Sequence, residues 1–345
     1  MSSPEPIRAL HISGPDRFGI VEKPRPEPRA GQTLAAPAYV GLCGTDLDLF
    51  DGSMPYFGEG VATYPLQPGH EWSGRLLESN DELAAGTPII LDAVIDCGRP
   101  DCELCTAGLV VRCQERYEFG VRRGLDGALA TAVVAPDRYM LPIPEGVRLR
   151  HAALVEPMVT TLEGIRRTAP VPGEEVLIVG SATLGLAGAM ILSARGIRTH
   201  VLLRSEVRAE TVEAAGAIPW LTGTRAAVEE FDVVIEAAGT PSAVQAAFAH
   251  TAPGGRVALL GVPTEPVPID IGALVIHDIT ARGVLNGPGQ YPHGLAALAS
   301  GEVKPELLID RVFPFEDIEA AVARSRESGR ERPKVLVQVD PDAPE

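Results

Sequence analysis

The sequence lacks several features that would place it in well-known classes of protein. It has only five cysteines among 345 residues, and an odd number argues against a framework of disulfide bonds. No run of about eighteen apolar residues is present, so no membrane-spanning helix is expected. The formal net charge of -16 disfavours binding to nucleic acid, which needs clustered basic residues. The N-terminus has no basic segment followed by an apolar one, so a signal peptide is not predicted and a cytoplasmic protein is expected.

The order of the patterned segments predicts two domains with different folds. At 345 residues the chain is too long for one ordinary core. Up to about residue 145, short apolar segments separated by proline and glycine indicate a β-rich domain. Beyond residue 150, apolar strands alternate with helical patterns, which is typical of an α/β doubly wound parallel sheet. Strands are predicted at 175–180, 199–204, 231–238, 255–261 and 279–285, helices at 184–195, 206–215 and 241–250, and a final strand at 334–339 that returns to the first domain.

Four of the five cysteines crowd into one short segment. They are separated by four, two and seven residues, with glycine and proline between them. Such a segment can wrap around one tetrahedral zinc ion, and four thiolates leave no position for a substrate. A redox pair or chance clustering is the alternative interpretation. The spacing predicts a structural zinc site made by Cys97, Cys102, Cys105 and Cys113.

A second group of metal-binding side chains surrounds the fifth cysteine, Cys43. His70 and Glu71 follow 27 and 28 residues later, and Glu156 lies in an otherwise apolar segment, where a buried acid needs a partner. Zinc uses ligands of these types when it keeps one position for water or substrate. Thr45 follows the thiol by two residues, where it can pass a proton. A cysteine alone is more often a small buried apolar residue, but the whole set predicts a catalytic zinc, with the choice between the two glutamates as resting ligand left open.

The strand predicted at 175–180 runs into a turn that contains glycine. The turn leaves a strand and opens a helix, as a dinucleotide-binding turn does. Its second glycine is replaced by Ala182, which places a methyl group where the backbone approaches the pyrophosphate. A plain strand–turn–helix is the alternative, but the strand and helix alternation that follows favours nucleotide binding. The candidate cofactor-binding residues here are Gly180, Ala182, Leu184 and Gly185.

The end of the next strand indicates which nicotinamide nucleotide is used. An NAD site normally carries an acidic residue there, which binds the ribose hydroxyls. Here Leu203 or Arg204 occupies that place, and Ser205 and Arg208 follow. Their guanidinium and hydroxyl groups suit a 2′-phosphate, although Glu206 lies close by. The sequence therefore favours NADP, with NAD as the alternative.

Together these motifs resemble the zinc-dependent medium-chain dehydrogenase/reductase family of the alcohol dehydrogenase superfamily. The resemblance implies a GroES-like β-rich catalytic domain at 1–152 and 290–345, with the structural zinc lobe at 97–113, and a Rossmann domain at 153–289. It also implies two zinc ions per chain and a homodimer or homotetramer. The motifs that carry it are Gly41-Leu-Cys-Gly-Thr-Asp46, Gly69-His-Glu71, the four cysteines, Glu156-Pro157, the turn at 180–185 and Asp232-Val-Val-Ile-Glu-Ala-Ala-Gly239.

Within that family the ligand set resembles the sugar and polyol dehydrogenases, because a simple alcohol dehydrogenase has cysteine where Glu156 stands. Similarity to the glucose dehydrogenase branch implies that Glu118 binds a substrate hydroxyl and that Asn286 lies near nicotinamide and substrate. Glu163 is matched in the same branch. The segment 68–74 resembles aminocyclitol dehydrogenases equally well, so the substrate is left as a sugar, polyol or cyclitol. The resemblance also places Ala238 and Val262 at the cofactor site.

The implied reaction is hydride transfer between a hydroxyl-bearing carbon of a small polar molecule and the nicotinamide. Thr45 would relay the proton, and Asp46 or Asp48 would continue the path. Three alternatives compete: a non-catalytic protein that binds zinc and nucleotide, a simple secondary-alcohol dehydrogenase, and a zinc-free quinone reductase. The complete ligand set argues against the first and the third.

Overall fold

The computed structural model describes residues 5–224 and 229–343. The chain divides into two compact units, of which the first comprises residues 1–156, 311–327 and 334–345, and the second comprises residues 157–310 and 328–333. Residues 290–310 therefore lie with the second unit, whereas the sequence prediction assigned them to the other domain. Among the described residues, no helix is both long and apolar enough to cross a bilayer.

Between residues 5 and 152, the structure has nine strands and four short helices. The strands are β1 (Ile7–Gly14), β2 (Arg17–Lys23), β3 (Gln32–Leu42), β4 (Glu71–Leu76), β5 (Pro88–Leu91), β6 (Val94–Ile95), β7 (Tyr117–Glu118), β8 (Val133–Pro136) and β9 (Met140–Pro142). The helices are α1 (Gly44–Asp51), α2 (Pro55–Gly58), α3 (Glu103–Thr106) and α4 (Leu149–Ala152). Proline and glycine keep most of these elements short, as the sequence predicted.

Strands and helices then alternate. The strands are β10 (Glu175–Val179), β11 (Arg198–Leu203), β12 (Ile218–Leu221), β13 (Phe231–Glu236), β14 (Thr251–Leu259) and β15 (Thr280–Gly283). The helices are α5 (Val155–Thr168), α6 (Thr183–Ala194), α7 (Ala209–Ala214), α8 (Pro241–Ala249), α9 (Ile271–Ile276) and α10 (Tyr291–Ser300). The six strands form one sheet in the order β12-β11-β10-β13-β14-β15, and every pairing is parallel. The predicted doubly wound sheet is confirmed, while β12 and α9 were not predicted.

The last strands of the chain join a second sheet, which is built mainly from strands of the β-rich unit. The last elements are β16 (Ile309–Pro314), α11 (Ile318–Arg326) and β17 (Lys334–Gln338). The part of the chain that the structure describes also has five single 3₁₀ turns, at Val110–Arg112, Asp137–Tyr139, Glu206–Arg208, Pro305–Leu307 and Phe315–Asp317. The sheet has the order β16-β17-β3-β4-β5-β9, with β8 also paired to β3. Strand β3 is buried along most of its length because it lies at the centre, with β17 and β4 antiparallel on its two sides. The predicted return of the final strand is confirmed.

Candidate metal centres and cofactor-binding turn

The pairing of β3 with β4 brings the predicted metal ligands together. Gly41 lies opposite Glu71 in this ladder, so Cys43 and His70, which flank that pair, reach the same end of the two strands. Cys43 Sγ lies 3.2 Å from His70 Nε2. Cys43 is also the residue before the first turn of α1, so the helix leads the chain away directly after the thiol. The two side chains that were predicted to bind the metal are therefore adjacent.

Asp46 contacts both Cys43 and His70. It is fully buried in the first turn of α1, and its Oδ2 accepts a hydrogen bond of 3.0 Å from the Cys43 backbone N–H. Its Oδ1 lies 3.5 Å from His70 Nδ1. An acid on one imidazole nitrogen fixes the ring so that the other nitrogen points at the metal position. The sequence prediction gave Asp46 an outward proton path, whereas its burial and contacts place it behind the ligands.

The charges of these groups are strongly coupled. Burial raises the pKa of the Cys43 thiol, and His70 offsets this only in part. Burial opposes protonation of His70, but Cys43 and Asp46 outweigh it and raise the pKa of His70 well above its ordinary value. Burial also works against ionisation of Asp46, yet contact with His70 lowers its pKa overall. A metal binds the thiolate and the neutral imidazole, so it competes with protons for both side chains.

Two glutamates complete the set of donors. Oxygen atoms of Glu71 and Glu156 lie within 4.8 Å of each other and of a His70 ring nitrogen. Cys43, Asp46 and His70 form a second group within the same limit, so His70 belongs to both. Sulfur, nitrogen and carboxylate oxygen are the donors that catalytic zinc uses. These side chains fit a zinc ion held by Cys43, His70 and one carboxylate.

Glu71 has a partner that the sequence did not suggest. Lys334 Nζ lies 2.6 Å from Glu71 Oε2 and 2.8 Å from Oε1, and it also donates to the Leu42 carbonyl at 3.2 Å. Both side chains of this ion pair are at most 3% exposed. Burial lowers the pKa of Lys334, but Glu71 and the nearby Cys43 raise it overall, so the ammonium stays charged. The only available signal was a lysine at the start of an apolar strand in a chain with three lysines.

Two glycines are required by close contacts at this site. A Cβ on Gly41 would lie 2.2 Å from Glu71 Oε2, so only glycine leaves room for the carboxylate beside β3. Gly69 has φ +106, and a Cβ there would approach the Leu129 backbone nitrogen to 2.8 Å. Gly44 is different, because nothing lies within 4 Å of its Cβ position. Thr45 is half-buried in the first turn of α1, two residues after the thiol.

The four remaining cysteines form a compact cluster. Cys102 Sγ lies 3.8 Å from Cys113 Sγ, and Cys105 Sγ lies 3.7 Å from Cys97 Sγ. All four sulfur atoms are within 4.8 Å of one another. Zinc–sulfur bonds of about 2.3 Å in a tetrahedron give sulfur–sulfur edges of about 3.8 Å. The cluster therefore fits a single tetrahedral zinc.

Glu118, predicted to bind a substrate hydroxyl, already has two protein partners. Its Oε1 accepts hydrogen bonds from Arg116 Nε at 2.8 Å and from the Tyr56 hydroxyl at 3.1 Å. The Arg116 side chain is only 7% exposed, which strengthens the ion pair. Burial and the charge of Glu118 raise the pKa of Tyr56 to about 12, so the phenol remains a donor. Neither partner of Glu118 was predicted.

The glycine turn after β10 has the contacts expected of a dinucleotide-binding turn. Gly180 has φ +112, and a Cβ there would lie 2.9 Å from the Ala238 Cβ. A Cβ on Gly185 would come within 1.9 Å of the Gly180 carbonyl oxygen, so the helix can approach the strand only with glycine here. Ala182 caps α6, and Leu184 lies in its first turn. The strand, turn and helix follow one another as predicted.

The basic residues after β11 lie near this turn. Arg204 and Ser205 are exposed, and Arg208 is half-buried. Arg208 Nη1 donates to the Ser181 carbonyl at 3.1 Å, so its guanidinium touches the glycine turn itself. The three predicted cofactor-binding residues Arg204, Ser205 and Arg208 therefore follow the end of β11, and Arg208 contacts the glycine turn after β10.

A buried acid, Glu236, shapes the neighbouring turn and was not among the predicted site residues. Its Oε1 accepts hydrogen bonds of 2.7 Å from both the Ala238 and the Gly239 backbone N–H groups. Burial raises its pKa, and these backbone donors oppose the shift. A Cβ on Gly239 would lie 3.0 Å from the Val262 nitrogen, so this turn and the end of β14 are in close contact. Ala238 and Val262 thus lie at the same edge of the sheet as Gly180.

Asn286 and Glu163 lie in one connected part of the second unit. Asn286 is buried, and its Oδ1 accepts a hydrogen bond of 2.7 Å from the Gly287 N–H. Glu163 binds Arg166 and Arg167 on its own helix and accepts a 3.2 Å hydrogen bond from Gln290 Nε2. Glu163 therefore ties α5 to the segment that carries Asn286.

Comparison with known proteins gives a consistent result. Residues 29–145 match the alcohol dehydrogenase GroES-like domain, and residues 183–300 match the zinc-binding dehydrogenases. Sorbitol dehydrogenase of Bacillus subtilis is 27% identical over 97% of this chain and 98% of its own length. L-threonine 3-dehydrogenase of Streptomyces avermitilis is 30% identical over 90% of this chain and 93% of its own. A candidate zinc-binding dehydrogenase of Sinorhizobium meliloti, solved with NADP bound, superposes with a TM-score of 0.88 at 25% identity, covering 97% of this chain and all of that one.

Proposed function

Because this chain belongs to the zinc-dependent medium-chain dehydrogenases/reductases of the alcohol dehydrogenase superfamily, we propose that it transfers hydride between a hydroxyl-bearing carbon of a polyhydroxylated small molecule and NADP. Family membership makes it an oxidoreductase that acts on CH–OH groups with zinc and a nicotinamide nucleotide. The substrate class and the preference for NADP are the parts that we add.

One observation carries the proposal: Cys43 Sγ and His70 Nε2 are 3.2 Å apart, and carboxylate oxygens of Asp46, Glu71 and Glu156 lie within 4.8 Å of a ring nitrogen of His70. Buried Asp46 holds the imidazole, and Lys334 holds Glu71, so the donors are kept in place by a second layer of charged groups. A non-catalytic binding protein of this fold has no need of that arrangement.

The residues divide the chemistry between them. When bound, zinc lowers the pKa of a substrate hydroxyl, and the nicotinamide accepts the hydride. Cys43, His70 and Glu71 or Glu156 would hold the metal, with Asp46 fixing the ring of His70. Thr45, half-buried beside the thiol, would carry the hydroxyl proton outward.

The substrate class rests on Glu118. Both protein contacts of Glu118 use Oε1, so we assign Oε2 to a substrate hydroxyl. A site whose polar groups pair with hydroxyls strongly rejects analogues that lack them. Sugars, polyols and cyclitols satisfy this requirement, and simple secondary alcohols do not. The sorbitol dehydrogenase among the relatives supports the same class.

The preference for NADP rests on the residues after β11. Leu203 or Arg204 stands where an acid would bind the ribose hydroxyls of NAD, and Ser205 and Arg208 follow. These groups offer charge-assisted hydrogen bonds to a phosphate. The cytoplasmic location expected from the sequence stays a prediction.

We also propose a homodimer formed through one edge of the parallel sheet. Strand β15 is the last strand in the sheet order and is exposed along its whole length. On the preceding helix α9, Ile271, Val275 and Ile276 are 62%, 76% and 80% exposed. A copy related by a two-fold axis would pair with the open edge and cover these apolar side chains. Sedimentation analysis should find a dimer that Val275→Glu dissociates and that Val207→Glu, an exposed position elsewhere, leaves intact; a monomeric parent protein would contradict the assignment.

Turnover measurements test the main proposal directly. The zinc-loaded protein is mixed with sugars, linear polyols, cyclitols and secondary alcohols, each with NADP and with NAD, and absorbance at 340 nm is followed. We expect turnover only with polyhydroxylated substrates and faster with NADP. His70→Ala should abolish it and lower the zinc content, while His293→Ala, at an exposed position on α10, should change neither. Full turnover by His70→Ala would refute the assignment of the site.

A further inference from the structure

A six-residue segment near the end of the chain belongs to the nucleotide-binding unit although the segments on either side of it do not. Residues 328–333 group with 157–310, whereas 311–327 and 334–345 group with the β-rich unit. One hydrogen bond anchors the segment: Arg208 Nε donates to the Arg330 carbonyl at 2.9 Å, across 122 residues of chain. Arg330 is thereby brought to the end of β11.

The same guanidinium also contacts the glycine turn. Arg208 Nη1 donates to the Ser181 carbonyl at 3.1 Å, so Arg208 joins the turn to the segment 328–333. Strands β10 and β11 are parallel neighbours, and the turn and Arg208 both follow their carboxyl ends. Dinucleotides bind at this edge of such sheets, with the adenosine ribose near the end of the second strand.

Positive charge accumulates at this place. Burial lowers the pKa of Arg208, and the charges of Arg330 and Arg204 lower it further, while Asp310 acts in the opposite direction. Arg208 and Arg330 are both half-buried, and Nη1 of Arg330 is shielded from solvent. The charges of Arg204 and Arg330 therefore both act on the guanidinium of Arg208, and such a group of cations is stabilised by an anion.

We propose that Arg330 completes, with Arg204 and Arg208, a binding subsite for the 2′-phosphate of NADP, and that this third arginine sets the preference for NADP over NAD. The inference rests on the proposed use of NADP and adds the residue that enforces it. A phosphate monoester carries about two negative charges at neutral pH and accepts paired hydrogen bonds from the planar guanidinium fork. NAD has a hydroxyl at the same position and gains nothing from the extra charge.

Binding measurements with fragments of the cofactor isolate this subsite from catalysis. Calorimetry on the full-length, zinc-loaded protein compares 2′,5′-ADP with 5′-ADP, and NADP with NAD. We expect Arg330→Gln to weaken 2′,5′-ADP and NADP about tenfold, which corresponds to one charge-assisted contact, and to change 5′-ADP and NAD by less than about twofold. Arg332→Gln is the matched control, because Arg332 lies two residues further on and is exposed; it should bind all four ligands as the parent does.

The outcomes separate this inference from the cofactor proposal on which it rests. If the parent binds NADP more tightly than NAD and Arg330→Gln keeps that ratio, the role of Arg330 is refuted and the use of NADP stands. If the parent binds NAD as tightly as NADP, both fail. Arg330→Lys keeps the charge and loses the fork, so it should weaken 2′,5′-ADP by about threefold. Arg330→Lys is the variant that disturbs the segment least. If both Arg330→Lys and Arg330→Gln bind 2′,5′-ADP as tightly as the parent does, the inference is refuted, and misfolding cannot explain that result.

Discussion

Replacing Lys334 with methionine removes the cation that neutralises Glu71. Methionine has a similar length and volume, so the main change is the loss of an ammonium that lies 2.6 Å and 2.8 Å from the two carboxylate oxygens. Both side chains are almost completely buried, so the remaining carboxylate cannot be hydrated. Breaking a buried ion pair from one side costs about 3–5 kcal/mol of stability. We expect a loss in this range for the metal-free first unit.

The two tryptophans of the chain make the measurement specific to one unit. Trp72 follows Glu71 directly and is 2% exposed in the first unit, whereas Trp220 is in the second. In a Trp220→Phe background, guanidinium unfolding followed by tryptophan fluorescence therefore reports on the first unit alone. The same titration with saturating zinc should show a smaller deficit for Lys334→Met, because a cation beside Glu71 again offsets its charge.

A double variant decides whether the loss comes from an unpaired charge. Glu71→Gln removes the carboxylate, so Lys334→Met combined with Glu71→Gln should be more stable than Lys334→Met alone. A Lys334→Met protein within about 1 kcal/mol of the parent would refute the reasoning, since that is the range of an exposed pair. A double variant no more stable than Lys334→Met would refute it as well.

Three further outcomes follow from the contacts described. Gly41→Ala should displace the carboxylate of Glu71 and reduce the zinc affinity of the catalytic site and the turnover by at least about tenfold, whereas Gly44→Ala, with open space around its Cβ, should retain both; equal effects would contradict the close contact. Cys105→Ser should lower the zinc content measured by atomic absorption from about two ions per chain to about one, and a variant that still contains two ions would show that Cys105 is not needed to hold the zinc of the lobe. Burial lowers the pKa of His200, so stability should fall as pH drops below the unfolded value of about 6.5, and His200→Gln should flatten this dependence in thermal unfolding between about pH 7 and pH 5; an unchanged slope would contradict it.

The metal ligands could be predicted from the sequence because their residue types are distinctive and their spacing is short. The four cysteines lie within one short segment, and Cys43 and His70 lie among glycines that two close contacts explain. The glycine turn could be predicted as well, because the strand, the turn and the helix follow one another directly in the chain. These features depend on residues that are close in sequence, so pattern and composition are enough to predict them.

The side chains that contact those ligands could not be predicted from the sequence, because their positions depend on the register between strands. Lys334 reaches Glu71 across 263 residues, and only the pairing of β17 and β4 on either side of β3 places them together. Asp46 was visible, but its role depends on the direction in which α1 leaves the strand. Helix α9 has six residues and β12 has four, with a proline among them, so both gave too little pattern to predict.

The pairing of β17 with β3 also fixes an order of events during synthesis. Domains fold as units while the chain emerges from the ribosome, and the parallel sheet is complete once β15 has been made. Strand β3 cannot pair with β17 until residues 334–338 have been synthesised. Glu71 therefore lacks its partner Lys334 for most of translation. The cysteine lobe needs only residues 97–113 and can take up zinc much earlier. The two metal ions of one chain are therefore expected to be acquired at different times, with the catalytic ion last.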